Sequence, residues 1–249
     1  MDDWLGQLWE RISDGFARAS PPEVGVVGLV TLALVAAVLS VPPRSWRIFG
    51  LFVTVVHELG HTAAALLTLQ RVTGITLRLD HSGTTTSRGR RGWRSAFTTF
   101  WGYPVPAVVG AALVWCAAYG WASVALSVGA LVLVSALILV RNVQGVLILG
   151  GSAAVSLALV WFGGAASSGY ACLVLGIALL VGSCRDWLKV VRVHTGRRDL
   201  ASSDAYLLQG STRVPSLLWL GLFAFVIAGA VASSIRPLAL IAAGAGASG

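Results

Sequence analysis

Apolar residues run through this chain in long blocks, each broken by a short polar or proline-containing stretch. A helix that crosses a bilayer needs about 20 mostly apolar residues. By that measure seven spans are expected, at 24–42, 46–69, 96–118, 121–140, 143–163, 168–187 and 215–235. The breaks at 119–120 and 164–167 are so short that the helices they join must run antiparallel. Ahead of the first block, residues 3–18 place Trp4, Leu5, Leu8, Trp9, Ile12 and Phe16 among charges. That pattern predicts an amphipathic helix lying on the membrane surface. The segment 1–22 thus precedes a transmembrane domain over 23–236, with a hairpin at 74–89. Residues 237–249 end in GAGASG, small and flexible enough to predict a disordered tail.

One stretch between spans changes period. In GITLRLDHSGTTTSRG, 74–89, Ile75, Leu77 and Leu79 alternate with Thr76, Arg78 and Asp80. The residues DHSG suit a turn, and a threonine-rich arm follows. Alternation on either side of a turn predicts a β-hairpin. The expected fold is an all-α polytopic membrane protein. It has about seven transmembrane helices and a small cytoplasmic β-hairpin after the second of them.

Composition agrees with that picture. Of 249 residues, 56% are hydrophobic and 11% charged, and the mean hydropathy is +0.81. So few charges cannot coat a soluble domain, which makes the lipid bilayer the solvent. The net charge of +8 is unevenly placed: six of the 18 basic residues fall between Arg71 and Arg94, and six between Arg185 and Arg213. Basic loops between apolar spans face the cytoplasm. They lack the interleaved aromatics of a nucleic-acid surface, so no nucleic-acid partner is expected. This bias puts the N-terminus and the loops 70–95 and 188–214 in the cytoplasm and the C-terminus outside. Arg44 and Arg47 then fall on the opposite side. Cys116, Cys172 and Cys184 show no paired spacing and are expected as apolar fillers rather than as disulfides.

The chemistry sits in VVHELGH, 55–61. Three ionisable groups occupy five residues of an apolar block, where one central carboxylate alone costs about 2.5–3.5 kcal/mol. His57 and His61 are four apart, so a helix stacks both imidazoles on one face. Two nitrogens at that spacing can grip a Zn²⁺ ion. Glu58 points off that axis, placed to polarise a water rather than to ligate. This is the H-E-x-x-H pattern of metalloproteases.

With that motif the chain resembles the site-2 protease family (M50) of intramembrane zinc metalloproteases, and in particular its bacterial and plant M50B-like branch. The matching pieces are HELGHTAAALLT, RVTGITLRLDHSGTTTSRG, WGYPVPAVVGAAL, RNVQGVLIL and SSDAYLLQGSTRVPSLLW, in the order the branch has them. They cover roughly 46–222. The resemblance implies that His57 and His61 are zinc ligands and Glu58 the general base. The implied reaction is peptide-bond hydrolysis in a membrane-anchored protein substrate near the cytoplasmic side, in a bacterial plasma membrane. It also implies that the β-element after the active-site helix receives the unwound substrate by strand addition.

A catalytic zinc keeps three protein ligands and one open position. In the wider family the third is an aspartate from an Asn-Pro-Asp-Gly or Leu-Asp-Gly motif, and this chain has neither. Setting aside the N-terminal tail, the hairpin turn (Asp80) and a basic loop run (Asp199) leaves Asp186 and Asp204. Asp204, in ASSDAYLLQG, matches the branch's Ser-Asp-Ala motif and is the expected ligand. Asp186, in GSCRDWLKVV, is the alternative, ahead of His81, His194 or no third protein ligand at all. Asp204 also suits a plainer role, in the first turn of a helix capped by Ser202 or Ser203. Asn142, at a span end, is expected to hydrogen-bond a substrate backbone or a zinc ligand. The two prolines of GYPVP, 102–106, predict a kink. Two other functions fit the same residues: a membrane scaffold that binds zinc and transmembrane helices without cutting them, and an ion transporter. Against transport, the chain has no inverted repeat and no second set of intramembrane charges.

Overall fold

Proline and arginine decide where the first two helices meet. Helix α1, Gly25–Ser40, is apolar throughout and stops ahead of Pro42. Pro43 opens α2, Pro43–Leu67, at a position where a missing N–H costs nothing. The carbonyls left bare at the end of α1 are taken by Arg185, whose Nη1 donates to Ser40 O (2.8 Å) and Val41 O (2.6 Å). The same guanidinium lies 4.4 Å over the Trp46 ring. The structure, a computed structural model, describes residues 6, 9–10, 13–89, 92–197 and 199–244. Residues 3–5, 7–8 and 11–12 of the amphipathic helix expected over 3–18, and the last five residues of the expected tail, lie outside that set.

After α2 come strands β1, Arg71–Leu77, and β2, Gly83–Arg88, then helices α3, Trp93–Phe100, and α4, Pro104–Ala118. Helix α5, Ala122–Ala136, ends in a 3-10 turn, Leu137–Leu139. Helices α6, Val143–Phe162, and α7, Ala165–Gly196, follow. A second 3-10 turn, Leu200–Ser202, leads to α8, Asp204–Thr212, and α9, Ser216–Ala242. Among the described residues, five helices are long and apolar enough to cross a membrane: α2, α5 with its 3-10 turn, α6, α7 and α9. A sixth results if α3 and α4 form one span, bent by 56° at the GYPVP break. The remaining expected span, 24–42, is α1, which is 16 residues long and falls short of that length. Helix α9 continues to Ala242, into the expected tail, with Pro237 inside it.

Glycines set the close crossing of α4 and α7. A Cβ on Gly110 of α4 would come within 2.7 Å of Gly176 O on α7, and one on Gly176 within 2.7 Å of Gly110 O. Without a strong hydrophobic drive between helices in lipid, such close backbone contact is what holds them.

The hairpin forms as its alternation predicts. It lies along α2. Ile75 and Leu77 are 2% and 1% exposed and share a core with Val55, Leu133 and Leu149. Leu79, expected on the same face, is past the strand end and exposed. The strands pair antiparallel, Leu77 opposite Gly83 and Ile75 opposite Thr85, with an irregularity between Val72 and Gly74.

The course of α1 bears on the orientation expected from charge. Residues 15–22 sit at the far end of the bundle: Ala19 N–H donates to Gly120 O (2.8 Å), Ser127 Oγ to Gly15 O (2.8 Å), and Pro22 packs on Gly169. Gly169 and Arg185 are 16 residues apart on α7, about 24 Å along its axis. Helix α1 starts at the Gly169 end and finishes at Arg185, so it runs parallel to α7. Residues 15–22 and loop 188–214 therefore lie at opposite ends of α7. The same geometry brings Arg44 and Arg47 to the end that carries Arg185, Lys189 and Arg192, around a cleft lined by Trp46 and His81. Their misplacement disappears.

Candidate metal centre

Helix α2 carries His57 and His61 one turn apart, their rings edge to face with centroids 4.8 Å apart. Asp204, the first residue of α8, comes back to them. The path is a turn after α7 with Arg197 and Asp199 at positive φ, the Leu200–Ser202 3-10 turn, and an extended Ser203. Ala205 and Leu208 anchor α8 in a core with Ala96, Val190, Leu220 and Phe223. Ser203 holds the cap position without a cap hydrogen bond; its hydroxyl meets His194 Nε2 at 2.8 Å.

Three ligand atoms form a small triangle. His57 Nε2 and His61 Nε2 are 3.1 Å apart, and each is 3.4 Å from Asp204 Oδ2. Tetrahedral ligands about 2.0–2.1 Å from zinc lie about 3.3 Å from one another. The triangle has that size. His61 Nδ1 donates to Thr98 O at 2.8 Å, which leaves its Nε2 as a bare lone pair. Asp204 Oδ2 is buried with no hydrogen bond. Electron-rich atoms meeting without a proton donor call for a cation, and the donor set of two imidazoles and a carboxylate suits zinc. Burial alone would push the Asp204 carboxyl up; positive charge on His61 and His57 outweighs it and holds it below the usual carboxylate range, and a bound cation would supply that charge where the rings carry lone pairs instead of protons. The carboxyl is therefore ionised and able to ligate.

Among the described residues this is the cluster of three or more metal-ligating side chains. Asp186, the alternative ligand, is not in it. It sits on α7, where it lines a cavity of about 550 Å³ together with His57, Glu58, His81, Tyr103 and Lys189. His81 also borders that cavity from the hairpin turn. There the Ser82 hydroxyl and N–H hold the neighbouring Asp80 carboxyl low. His194 faces Ser203 instead.

Glu58 is 4% exposed. Thr85 of β2 reaches it, donating from Oγ1 to Glu58 Oε2 at 2.7 Å. A Cβ on Gly83 would fall 2.5 Å from Glu58 Oε1, so glycine is what lets β2 approach. Gly102 has the same role at the metal ligands: a Cβ there would lie 2.5 Å from His61 Nε2 and 2.7 Å from Asp204 Oδ2. Gln70 braces the far side, donating from Nε2 to Thr98 Oγ1 (2.7 Å) and Arg94 O (3.1 Å).

Asn142, expected to meet a substrate backbone or a zinc ligand, is occupied with this chain's own backbone. Its Oδ1 accepts from Leu77 N–H (3.1 Å) and its Nδ2 donates to Leu77 O (2.7 Å). Arg141 adds its N–H to Ile75 O (2.9 Å) and Nε to Thr73 O (3.1 Å). Residues 141–142 therefore close the outer edge of β1. On β2 the phase is set by Arg78 N–H donating to Ser82 O. Thr84 and Thr86 turn their backbone toward β1, while Thr85 and Ser87 turn theirs to the other edge. There, among the described residues, nothing meets them. Thr85, Thr98, Gln70, Gly83 and Gly102 carry no motif of their own. The one sequence sign was the run of small and hydroxyl residues in the second hairpin arm.

No curated protein and no solved structure is found to match the chain. Residues 30–234, which hold every side chain of this centre, match the Peptidase M50B-like family. By that match over most of its length the chain belongs to the Peptidase M50B-like family, within the site-2 protease group.

Proposed function

We infer that the protein is an intramembrane zinc metalloprotease that hydrolyses peptide bonds of membrane-anchored proteins near the cytoplasmic side. One observation carries this: His57 Nε2, His61 Nε2 and Asp204 Oδ2 converge at zinc-ligand spacing, and His57 and Glu58 line the cavity beside them. Zinc in such a site supplies Lewis acidity and activates water at neutral pH. Glu58 takes the proton of the attacking water and returns it to the nitrogen of the departing amine. Thr85 and Thr98 hold Glu58 and His61 in place for this. A substrate helix must unwind before its backbone can be cut. The free edge of β2, beside Glu58, offers the exposed amides a strand to pair with. With the basic end of α7 in the cytoplasm, the cavity opens on that side and residues 15–22 face the other.

The test is metal analysis paired with cleavage of a single-span reporter protein in proteoliposomes. Stoichiometric zinc, lost in His57→Ala, and cleavage abolished in Glu58→Gln with zinc retained, are expected. A protein without zinc sinks the reading. Zinc binding with cleavage that ignores Glu58→Gln sinks it too.

A further inference from the structure

Tyr103 is a polar group on the wall of the catalytic cavity that neither the metal centre nor Glu58 uses. Tyr103 sits at the break between α3 and α4 and borders the cavity with His57 and Glu58. Its ring is fixed on two sides. It stands edge-on to His57 with centroids 4.9 Å apart and an interplanar angle of 88°. Its other contact is a stack on Phe223 of α9, at 5.4 Å and 24°. Phe223 is itself fully buried. Gly102 before it and Pro104 after it leave the backbone little freedom: Gly102 lies against two ligands, and Pro104 is buried and fixes φ. A phenol in a protein interior finds a hydrogen-bond partner as a rule. Among the described residues, the Tyr103 hydroxyl has none.

We propose that Tyr103 is a further catalytic residue, whose hydroxyl donates a hydrogen bond to the scissile carbonyl oxygen as negative charge develops there. This rests on the proteolytic reading above. The balance is simple. Water oxygen bonds to the carbonyl carbon, the C–N bond breaks, and the proton that Glu58 removes from water ends on the amine nitrogen. Tyr103 keeps its proton throughout and shares it with the oxygen only while that oxygen is charged. A donor locked in place before the reaction loses little in reorganisation, and one such donor is worth about 10²–10³ in kcat.

Tyr103→Phe tests this, because it preserves the stack on Phe223 and the edge contact to His57 and removes one oxygen. Zinc content and zinc affinity should stay as in the parent protein. With the single-span reporter, kcat should fall about 100-fold or more with KM within about twofold. A phosphonamidate peptide, whose charged oxygen mimics the developing one, should bind the zinc-loaded variant at least about tenfold more weakly by calorimetry. Unchanged phosphonamidate affinity with intact zinc overturns the proposal, as does a parent protein that holds zinc but does not bind the phosphonamidate. So does a phenolate-to-metal charge-transfer band in the Cu²⁺-loaded protein that Tyr103→Phe abolishes, which would make the phenol a ligand. A parent protein that binds no zinc sinks the proteolytic reading itself, a separate result.

Discussion

Gly102→Ala adds one methyl group against two of the metal ligands. Ordinary Cβ contacts begin near 3.4 Å, and the new carbon would lie 2.5 Å from His61 Nε2 and 2.7 Å from Asp204 Oδ2. It is therefore short of room by about 0.9 Å on one ligand and about 0.7 Å on the other. Metal–ligand distances tolerate about 0.2 Å. His61 cannot simply step aside, because its Nδ1 is held by Thr98 O at 2.8 Å. Asp204 is fixed by α8, whose Ala205 and Leu208 are fully buried. Disturbing even the support of a metal ligand costs about 10–100-fold in affinity, and here two ligands are displaced directly. Zinc affinity, measured by competition with a chromophoric chelator, should fall at least about 100-fold. Gly83→Ala makes the same intrusion on Glu58 Oε1, at 2.5 Å, and on no metal ligand. It should keep zinc and lose cleavage. Gly150→Ala, with nothing within 4 Å, is the neutral control. The reasoning is refuted if Gly102→Ala binds zinc like the parent, or if both crowded variants lose zinc equally, which would indicate general loosening instead.

Asp204→Asn should strip zinc at chelator concentrations that leave Asp186→Asn loaded; the reverse order would make Asp186 the ligand. Thr85→Val removes a hydrogen bond to a charged carboxylate, worth about 1.5–3 kcal/mol, so kcat on the reporter should drop roughly 10–100-fold at constant zinc. Full turnover in that variant would show that Glu58 needs no such support. Asn142→Ala deletes both bonds to Leu77 and should cost about 1–3 kcal/mol in stability, seen as a lower Tm and faster amide exchange at Leu77. Unchanged exchange there would mean that the hairpin holds itself. Single cysteines at Ser20 and Thr195, in a cysteine-free background, should react with an impermeant maleimide from opposite sides of the membrane. Labelling from the same side would contradict the parallel course of α1 and α7.

What the sequence could reveal followed from periodicity and local spacing. The pair His57 and His61 declares itself because four residues are one helical turn, and the hairpin because alternation is visible in Ile75 and Leu77. Which end of the bundle each element occupies is not local. Apolar α1 looked like a full span, yet it has 16 residues, and its course depends on Arg185, 145 positions beyond Ser40. That Ile75 and Leu77 would be buried beside Val55 of α2 is equally non-local. Asp186 and Asp204 could not be told apart by spacing, since the choice between them rests on a turn with two left-handed residues and a short helix. Asn142 was legible as a polar group needing a partner. That the partner would be Leu77 depended on strand register, which the alternation alone does not fix across 65 residues.

The sealed edge of β1 has a consequence for where cuts can fall. A guest chain can join this sheet only along β2, and the backbone groups waiting there recur at Thr85 and Ser87, every second residue. Sliding the guest by one position would turn its bonding groups away and flip its side chains to the other face. Sliding it by two restores every bond. The sheet thus acts as a ruler with marks about 6.8 Å apart. When a substrate is cut at more than one place, the sites should differ by even numbers of residues.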